Sequence, residues 1–360
     1  MKRRINSKMV NELNLIVLPS CDDFGNLVYK RLREIRKEDV FLIKPGCFRF
    51  ATGEGKVVFN ESIRGSDVYI FVDVTNYNVT YRLRDKDIPM SPDEHFQDLK
   101  RVISVAISEA QRVSVIMPYL YEGRQHKKNN RESLDCALML QELFNLGVAN
   151  IITFDAHDPR IQNAIPLGGF VNLIPSYQFL KTIINNIKSI KFEKEKLIII
   201  SPDEGAVDRA ILLANSIQVD MGMFYKRRDY SKIKDGRNPI LEHKFLGGNV
   251  EGKDCILIDD MISTGESIID TAHKLKIMGA NKVIICCTFG LFTEGINDIE
   301  DAYCKQVFDY MITTNLNYRE QSILDRKWYL EADMSEYAAM IIDSLNKEMP
   351  LDSLHKLESK

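Results

Sequence analysis

The chain has 360 residues, 45% of them hydrophobic, with a formal net charge of −3. That is enough apolar material for a core of two ordinary domains, while the near-neutral balance argues against a nucleic-acid partner and leaves any anion site local. No apolar run approaches the roughly 20 residues of a membrane helix, and the basic start at 1–8 leads only into a short apolar run at 13–18, so neither export nor membrane attachment is expected.

The first apolar run, at 14–18, reads as a strand, and runs of the same kind follow at 68–74, 113–117, 151–154, 197–200, 256–258 and 283–288. Between and after them, helical spacing occupies about 22–37, 94–111, 132–147, 176–188, 204–216, 267–279 and 335–346. This alternation predicts an α/β protein of two similar halves, each a mostly parallel sheet flanked by helices. Ligands in such sheets sit beyond the strand C-termini. Gly168, Gly169 and Pro175 interrupt the pattern. They place a boundary between an N-terminal domain, 1–172, and a C-terminal domain, 173–360, with the last helix a candidate to pack back on the first domain. The seven cysteines are scattered apart from Cys286 and Cys287, without metal-ligand spacing, which suits reduced thiols in a cytoplasm.

The most specific segment is C-I-L-I-D-D-M-I-S-T-G-E-S, residues 255–267. An apolar strand ends there in two carboxylates, and a hydroxyl- and glycine-bearing loop opens a helix marked by Ile268, Ala272 and Leu275. Backbone N–H groups of Ser263, Thr264, Gly265, Glu266 and Ser267 would face outward at a helix N-terminus, where a phosphate is welcome. Asp259 and Asp260 are acceptor-only when ionised and need donors, two of which the cis 2- and 3-hydroxyls of a ribose supply. Together these features fit ribose 5-phosphate. The plainer alternative is a pair of strand-end aspartates capping the next helix.

This segment resembles the phosphoribosyl pyrophosphate (PRPP) loop shared by phosphoribosyltransferases and ribose-phosphate pyrophosphokinases (PRPP synthetases). Other segments resemble the synthetases, in that family's order from near residue 50 to the C-terminus. V-I-M-P-Y-L-Y-E-G-R-Q-H-K-K, 115–128, is similar to the segment that meets ATP, which makes Arg124 and Gln125 ATP contacts; His126 stands where many members carry aspartate. I-I-T-F-D-A-H-D, 151–158, resembles the strand ending in D-x-H. The resemblance makes Asp155 and His157 candidates for Mg²⁺, and His157 a participant at the reacting centre. No carboxylate follows within 163–172, where the family often has more.

I-I-I-S-P-D-E-G-A, 198–206, matches the family's S-P-D-x-G segment and carries over Asp203, near ribose and its metal; Asp203 also suits a helix N-cap. M-F-Y-K-R-R-D-Y-S, 223–231, resembles the start of the flexible catalytic loop and makes Lys226 and Arg228 the catalytic cations. A solvated basic loop is the alternative there. The F-R-F-A-T-G-E-G run, 48–55, looks like the family's hairpin, with Phe50, Thr52 and Glu54 toward adenine; Thr52 occupies a position usually held by aspartate or asparagine. Ser263 replaces a common aspartate, and 232–252 is longer than expected.

The resemblance implies a cytoplasmic enzyme with Mg²⁺ as cofactor and ATP and ribose 5-phosphate as substrates. It also implies a homo-oligomer, a hexamer built from dimers, in which a neighbour's hairpin helps hold adenine. Two rivals share parts of the pattern: a nucleobase phosphoribosyltransferase and a non-catalytic regulatory paralogue of the synthetase.

Overall fold

A computed structural model describes residues 12–228 and 240–351, the side chains of 226–228 and 240–243 excepted. The N-terminal half runs β1 (Leu13–Val17), α1 (Asp22–Ile35), β2 (Val40–Ile43), β3 (Gly46–Arg49), β4 (Gly55–Val58), β5 (Asp67–Phe71), β6 (Thr80–Leu83), β7 (Lys86–Pro89), α2 (Pro92–Ala106), β8 (Arg112–Ile116), α3 (Asp135–Asn145), β9 (Asn150–Phe154) and β10 (Gly169–Leu173). The C-terminal half continues with α4 (Ser176–Asn186), β11 (Leu197–Ser201), α5 (Val207–Ile217), β12 (Asp220–Arg228), β13 (Ile240–Leu246), β14 (Asp254–Ile262), α6 (Glu266–Ile277), β15 (Val283–Gly290), α7 (Asn297–Cys304), β16 (Tyr310–Thr314), α8 (Gln321–Leu324), β17 (Tyr329–Ala332) and α9 (Ser335–Asn346).

Two main sheets result. The first, ordered β10-β9-β8-β5-β1-β2, is parallel throughout. The second, ordered β13-β12-β11-β14-β15-β16-β17, is parallel except where β13 returns antiparallel to β12. The central strands β1, β5 and β11 are buried at every position, as continuous apolar runs covered on both faces should be. Helix α2 begins where the sequence dictates. Ser91 and Glu94 form a reciprocal capping box, with Pro92 in the first turn.

β14 is longer than its apolar core at 256–258. It stays paired with β15 from Cys255 to Ile262, so Asp259 and Asp260 lie in the strand and not after it. β10 completes the first sheet by pairing with β9 across 169–173, immediately before the break at Pro175.

Helix α9 lies on the first sheet beside α1. Met334, Tyr337, Ala338, Ile341 and Ile342 share a core with Leu13, Leu15, Phe24 and Val28. Polar clamps fix its end: Arg36 Nη1 donates to Asp343 Oδ1 at 2.8 Å, Arg112 Nη2 to the Leu345 carbonyl at 3.0 Å, and Asn346 Nδ2 to Asp67 Oδ2 at 2.9 Å. The same core takes in Phe289 and Leu316 from the second half. The loops after β5 and β16 also meet, where the Tyr318 N–H donates to Asp73 Oδ2 at 2.7 Å. No helix among the described residues is long and apolar enough to cross a membrane.

Candidate active site

The loops after β8 and β9 of one sheet meet the loops after β11, β14 and β15 of the other. Asp155, directly after β9, has φ +44°, a conformation non-glycine residues seldom adopt. Three anchors hold it there. Its N–H donates to the Leu173 carbonyl at 2.7 Å, Oδ1 accepts from Arg209 Nε at 2.6 Å, and Oδ2 accepts from Thr288 Oγ1 at 2.5 Å. Its carboxylate therefore belongs to the junction between the halves, each oxygen already holding one side-chain donor.

Arg209 is the hub. It lies in the first turn of α5, is 6% exposed, and also reaches the Gly205 carbonyl at 3.0 Å, the Ala156 carbonyl at 3.4 Å and Asp260 Oδ2 at 3.7 Å. Burial works against its charge, yet Asp155 and Asp260 hold the guanidinium protonated above its ordinary value. A cation in the first turn opposes the helix dipole. That misplacement was the one available sequence signal for Arg209, and the motif reading passed over it.

His157 crosses between the halves, its Nδ1 lying 2.6 Å from Asp260 Oδ2. A carboxylate partner assigns the proton to Nδ1 and leaves Nε2 as the nitrogen available to a ligand. Asp260 is buried, which would raise its pKa, but the His157 bond and the Arg209 charge bring it below the usual value. Its neighbour Asp259 moves the other way. Burial, then the charges of Asp260 and Asp203, push it well above the carboxylate range. Asp259 keeps some exposure and its Oδ1 accepts from the Asp260 N–H at 2.9 Å, which leaves Oδ2 to meet a diol.

The sugar loop follows. Gly265 sits at φ +89° at the start of α6, and a Cβ there would lie 3.3 Å from Ile299 side-chain atoms. The Thr293 N–H donates to the Ser263 carbonyl at 2.9 Å, Ser263 Oγ lies 3.3 Å from Thr293 Oγ1, and the Ile269 N–H closes the first turn onto Gly265 at 3.0 Å. Thr264 Oγ1 accepts weakly from the Glu266 N–H at 3.4 Å. Glu266 and Ser267 are exposed in the first turn. Asp203 caps the short turn after β11, accepting from the Gly205 N–H at 2.9 Å.

Arg124 reaches the same place from the first half. Its Nη2 and Nε lie 2.7 and 3.1 Å from Met261 Sδ, on the strand that carries Asp259 and Asp260. Thioether sulfur is a weak acceptor, so a phosphate oxygen would displace it. Gln125 spends its amide N–H groups on its own loop, donating to the Ser133 carbonyl at 2.8 Å and the Lys127 carbonyl at 3.3 Å.

Phe50, Thr52 and Glu54 lie apart on the β3–β4 hairpin. Phe50 is 57% exposed, and Thr52 Oγ1 donates to Glu54 Oε2 at 2.8 Å. The hairpin is tied to α2 by Arg49, which grips Asp98 at 2.7 and 2.9 Å. Lys226 and Arg228 belong to β12 by their backbone; their side chains lie outside the described residues. Among the described residues no three of His, Cys, Asp and Glu converge as a metal cage. Mg²⁺ at phosphoryl-transfer sites is usually held by one or two carboxylates besides phosphates and water; the partly exposed Asp203 is such a carboxylate, with His157 Nε2 available to the ion or to water on it.

Comparison with known proteins defines the class first. Residues 13–147 match the model of the N-terminal domain of ribose phosphate pyrophosphokinase, and residues 175–317 match the phosphoribosyl transferase domain. Ribose-phosphate pyrophosphokinase of Mycoplasma genitalium is 28% identical over 275 residues, 75% of this chain and 74% of that protein. Ribose-phosphate pyrophosphokinase 1 of Listeria innocua is 29% identical over 296 residues, 81% and 84% of the two. The crystal structure of phosphoribosylpyrophosphate synthetase from Mycobacterium smegmatis shares the fold, with a TM-score of 0.75, 23% identity, and coverage of 94% of this chain and 99% of that one. The chain belongs to the ribose-phosphate pyrophosphokinase (PRPP synthetase) family.

Proposed function

We propose that the protein is a ribose-phosphate diphosphokinase. It transfers the β,γ-diphosphoryl group of ATP to the 1-hydroxyl of ribose 5-phosphate, giving PRPP and AMP for nucleotide biosynthesis. The observation that carries this reading is the junction of the halves. Arg124 rests on Met261 at 2.7 Å and His157 on Asp260 at 2.6 Å, so the residues matched to ATP touch the strand matched to the sugar. A nucleobase phosphoribosyltransferase has no use for the first half of that junction.

Asp259 and Asp260 accept from the ribose hydroxyls, and residues 263–267 cradle the 5-phosphate at the N-terminus of α6. The 1-hydroxyl then attacks the β-phosphorus in line as AMP departs. Arg124, Lys226 and Arg228 supply positive charge to the phosphoryl oxygens, so catalysis is positioning plus electrostatics. Asp155, through Arg209, holds the loop that carries His157. Asp203, His157 and Asp155 would hold Mg²⁺, which would neutralise charge on the ATP phosphates. The exposed Phe50 on its hairpin suits a base held between subunits of a cytoplasmic homo-oligomer.

ATP labelled in the β-phosphate tests the reaction. The label should appear in PRPP, on the phosphorus next to C1; label retained in ADP or released as inorganic phosphate would refute diphosphoryl transfer.

A further inference from the structure

His126 and Asp158 lie side by side between the two loops matched to ATP and to the reacting centre, and neither has been given a role. His126 Nδ1 lies 3.2 Å from the Arg124 carbonyl and Nε2 lies 3.3 Å from Asp158 Oδ2. Both side chains are nearly out of solvent, at 12% and 11% exposure. The His126 ring also packs against the His157 ring, centroids 5.3 Å apart. Asp158 is also held by Arg160, Oδ1 accepting from its N–H at 2.9 Å and Oδ2, the oxygen that faces His126, from its Nη2 at 2.5 Å.

We infer that His126 and Asp158 form a latch that sets the position of the Arg124–Gln125 turn against the His157 loop, making His126 a positioning residue for ATP. The geometry requires it to act through others. One edge of the ring is bonded to the residue whose guanidinium meets Met261, the other to the residue that follows His157, and its face touches the His157 ring itself. Both nitrogens face acceptors, so the ring ties the two loops from either edge and donates to one of them in its neutral form. A carboxylate at 126 would instead confront Asp158 as a like charge.

The inference rests on the diphosphokinase reading for the identity of the nucleotide, and binding separates the two. α,β-Methylene-ATP, which cannot be cleaved between its α- and β-phosphorus, is titrated into wild type, His126→Ala, His126→Gln, His126→Asp, Asp158→Asn and the His126→Asp/Asp158→Asn pair, with ribose 5-phosphate affinity as the control. Misplacing a phosphate-gripping group by a fraction of an ångström should weaken analogue binding about tenfold in His126→Ala, with ribose 5-phosphate affinity within about twofold of wild type. His126→Gln, which keeps a donor, should fall between. His126→Asp should be worse than His126→Ala, and adding Asp158→Asn, which preserves the cap on Arg160 N–H, should recover most of that extra loss.

Unchanged analogue affinity in His126→Ala and His126→Gln, or no recovery in the double variant, overturns the latch. Wild-type binding without any turnover would instead overturn the diphosphokinase reading and leave the latch standing.

Discussion

Replacing Arg209 by methionine removes the guanidinium that bridges Asp155 and Asp260 while keeping most of the side-chain volume. Asp155 is 4% exposed and Arg209 6%, so Asp155 would be left as a buried charge with only the Thr288 hydroxyl at 2.5 Å to satisfy it. Breaking a buried pair from one side costs about 3–5 kcal/mol. The loss should depend on pH in a defined direction. Burial already raises the Asp155 pKa, with Arg209 opposing, and without Arg209 the folded-state value rises further above the unfolded one.

A carboxylate of that kind contributes its stability below its unfolded pKa and loses it as pH rises through the folded pKa. The deficit of Arg209→Met should therefore grow by up to about 1.4 kcal/mol per pH unit between the unfolded and the folded pKa, level off above the folded one, and shrink toward pH 5. Urea denaturation at pH 8, 6.5 and 5 measures it, with Asp155→Asn/Arg209→Met expected to recover much of the loss at pH 8. A deficit under about 1 kcal/mol, or one that does not change with pH, would refute the buried-pair argument.

Three further outcomes follow from the site. Gly265→Ala forces an L-residue into φ +89° with Ile299 at 3.3 Å; about 1–2 kcal/mol of strain should reduce ribose 5-phosphate affinity by calorimetry, and unchanged affinity would remove this loop as the phosphate cradle. Asp259 is pushed up by burial and by Asp260, and only its ionised form offers the ribose diol acceptors alone. The acid limb of kcat/KM for ribose 5-phosphate should accordingly lie above the ordinary aspartate value of about 3.9 and vanish in Asp259→Asn. Lys226→Ala should lower turnover about 10²–10³-fold, the size of one lost transition-state contact, with ribose 5-phosphate affinity little changed; full turnover would show that Lys226 is not a catalytic cation.

Periodicity was enough to read β1, β5, β8, β9, β11, β14 and β15, because parallel strands buried on both faces are uninterrupted apolar runs, but it missed β2, β10, β12, β13, β16 and β17 of the same sheets. It was not enough for β6 and β7. Their turn uses Arg84 and Asp85 at φ +47° and +61°, with no glycine or asparagine to announce it. β14 was read too short because Asp259 and Asp260 break its hydrophobicity, whereas its extent is set by pairing with β15, which no local pattern reveals. At the site, the strand-end aspartates and the glycine loop were legible because their chemistry is carried by adjacent residues. Arg209, Thr288 and Met261 were not, since each gains its meaning from a partner more than 50 positions away: Asp155 for the first two, Arg124 for the third. The His126–Asp158 pair escaped too, because its members sit on separate loops that only the fold brings together.

The most direct test of the account is to incubate the purified protein with ribose 5-phosphate, ATP and Mg²⁺ and to quantify AMP, ADP and PRPP together by chromatography. The account predicts AMP and PRPP in equal amounts without ADP. Absence of PRPP across divalent metals and nucleotide donors, or ADP in place of AMP, would contradict it.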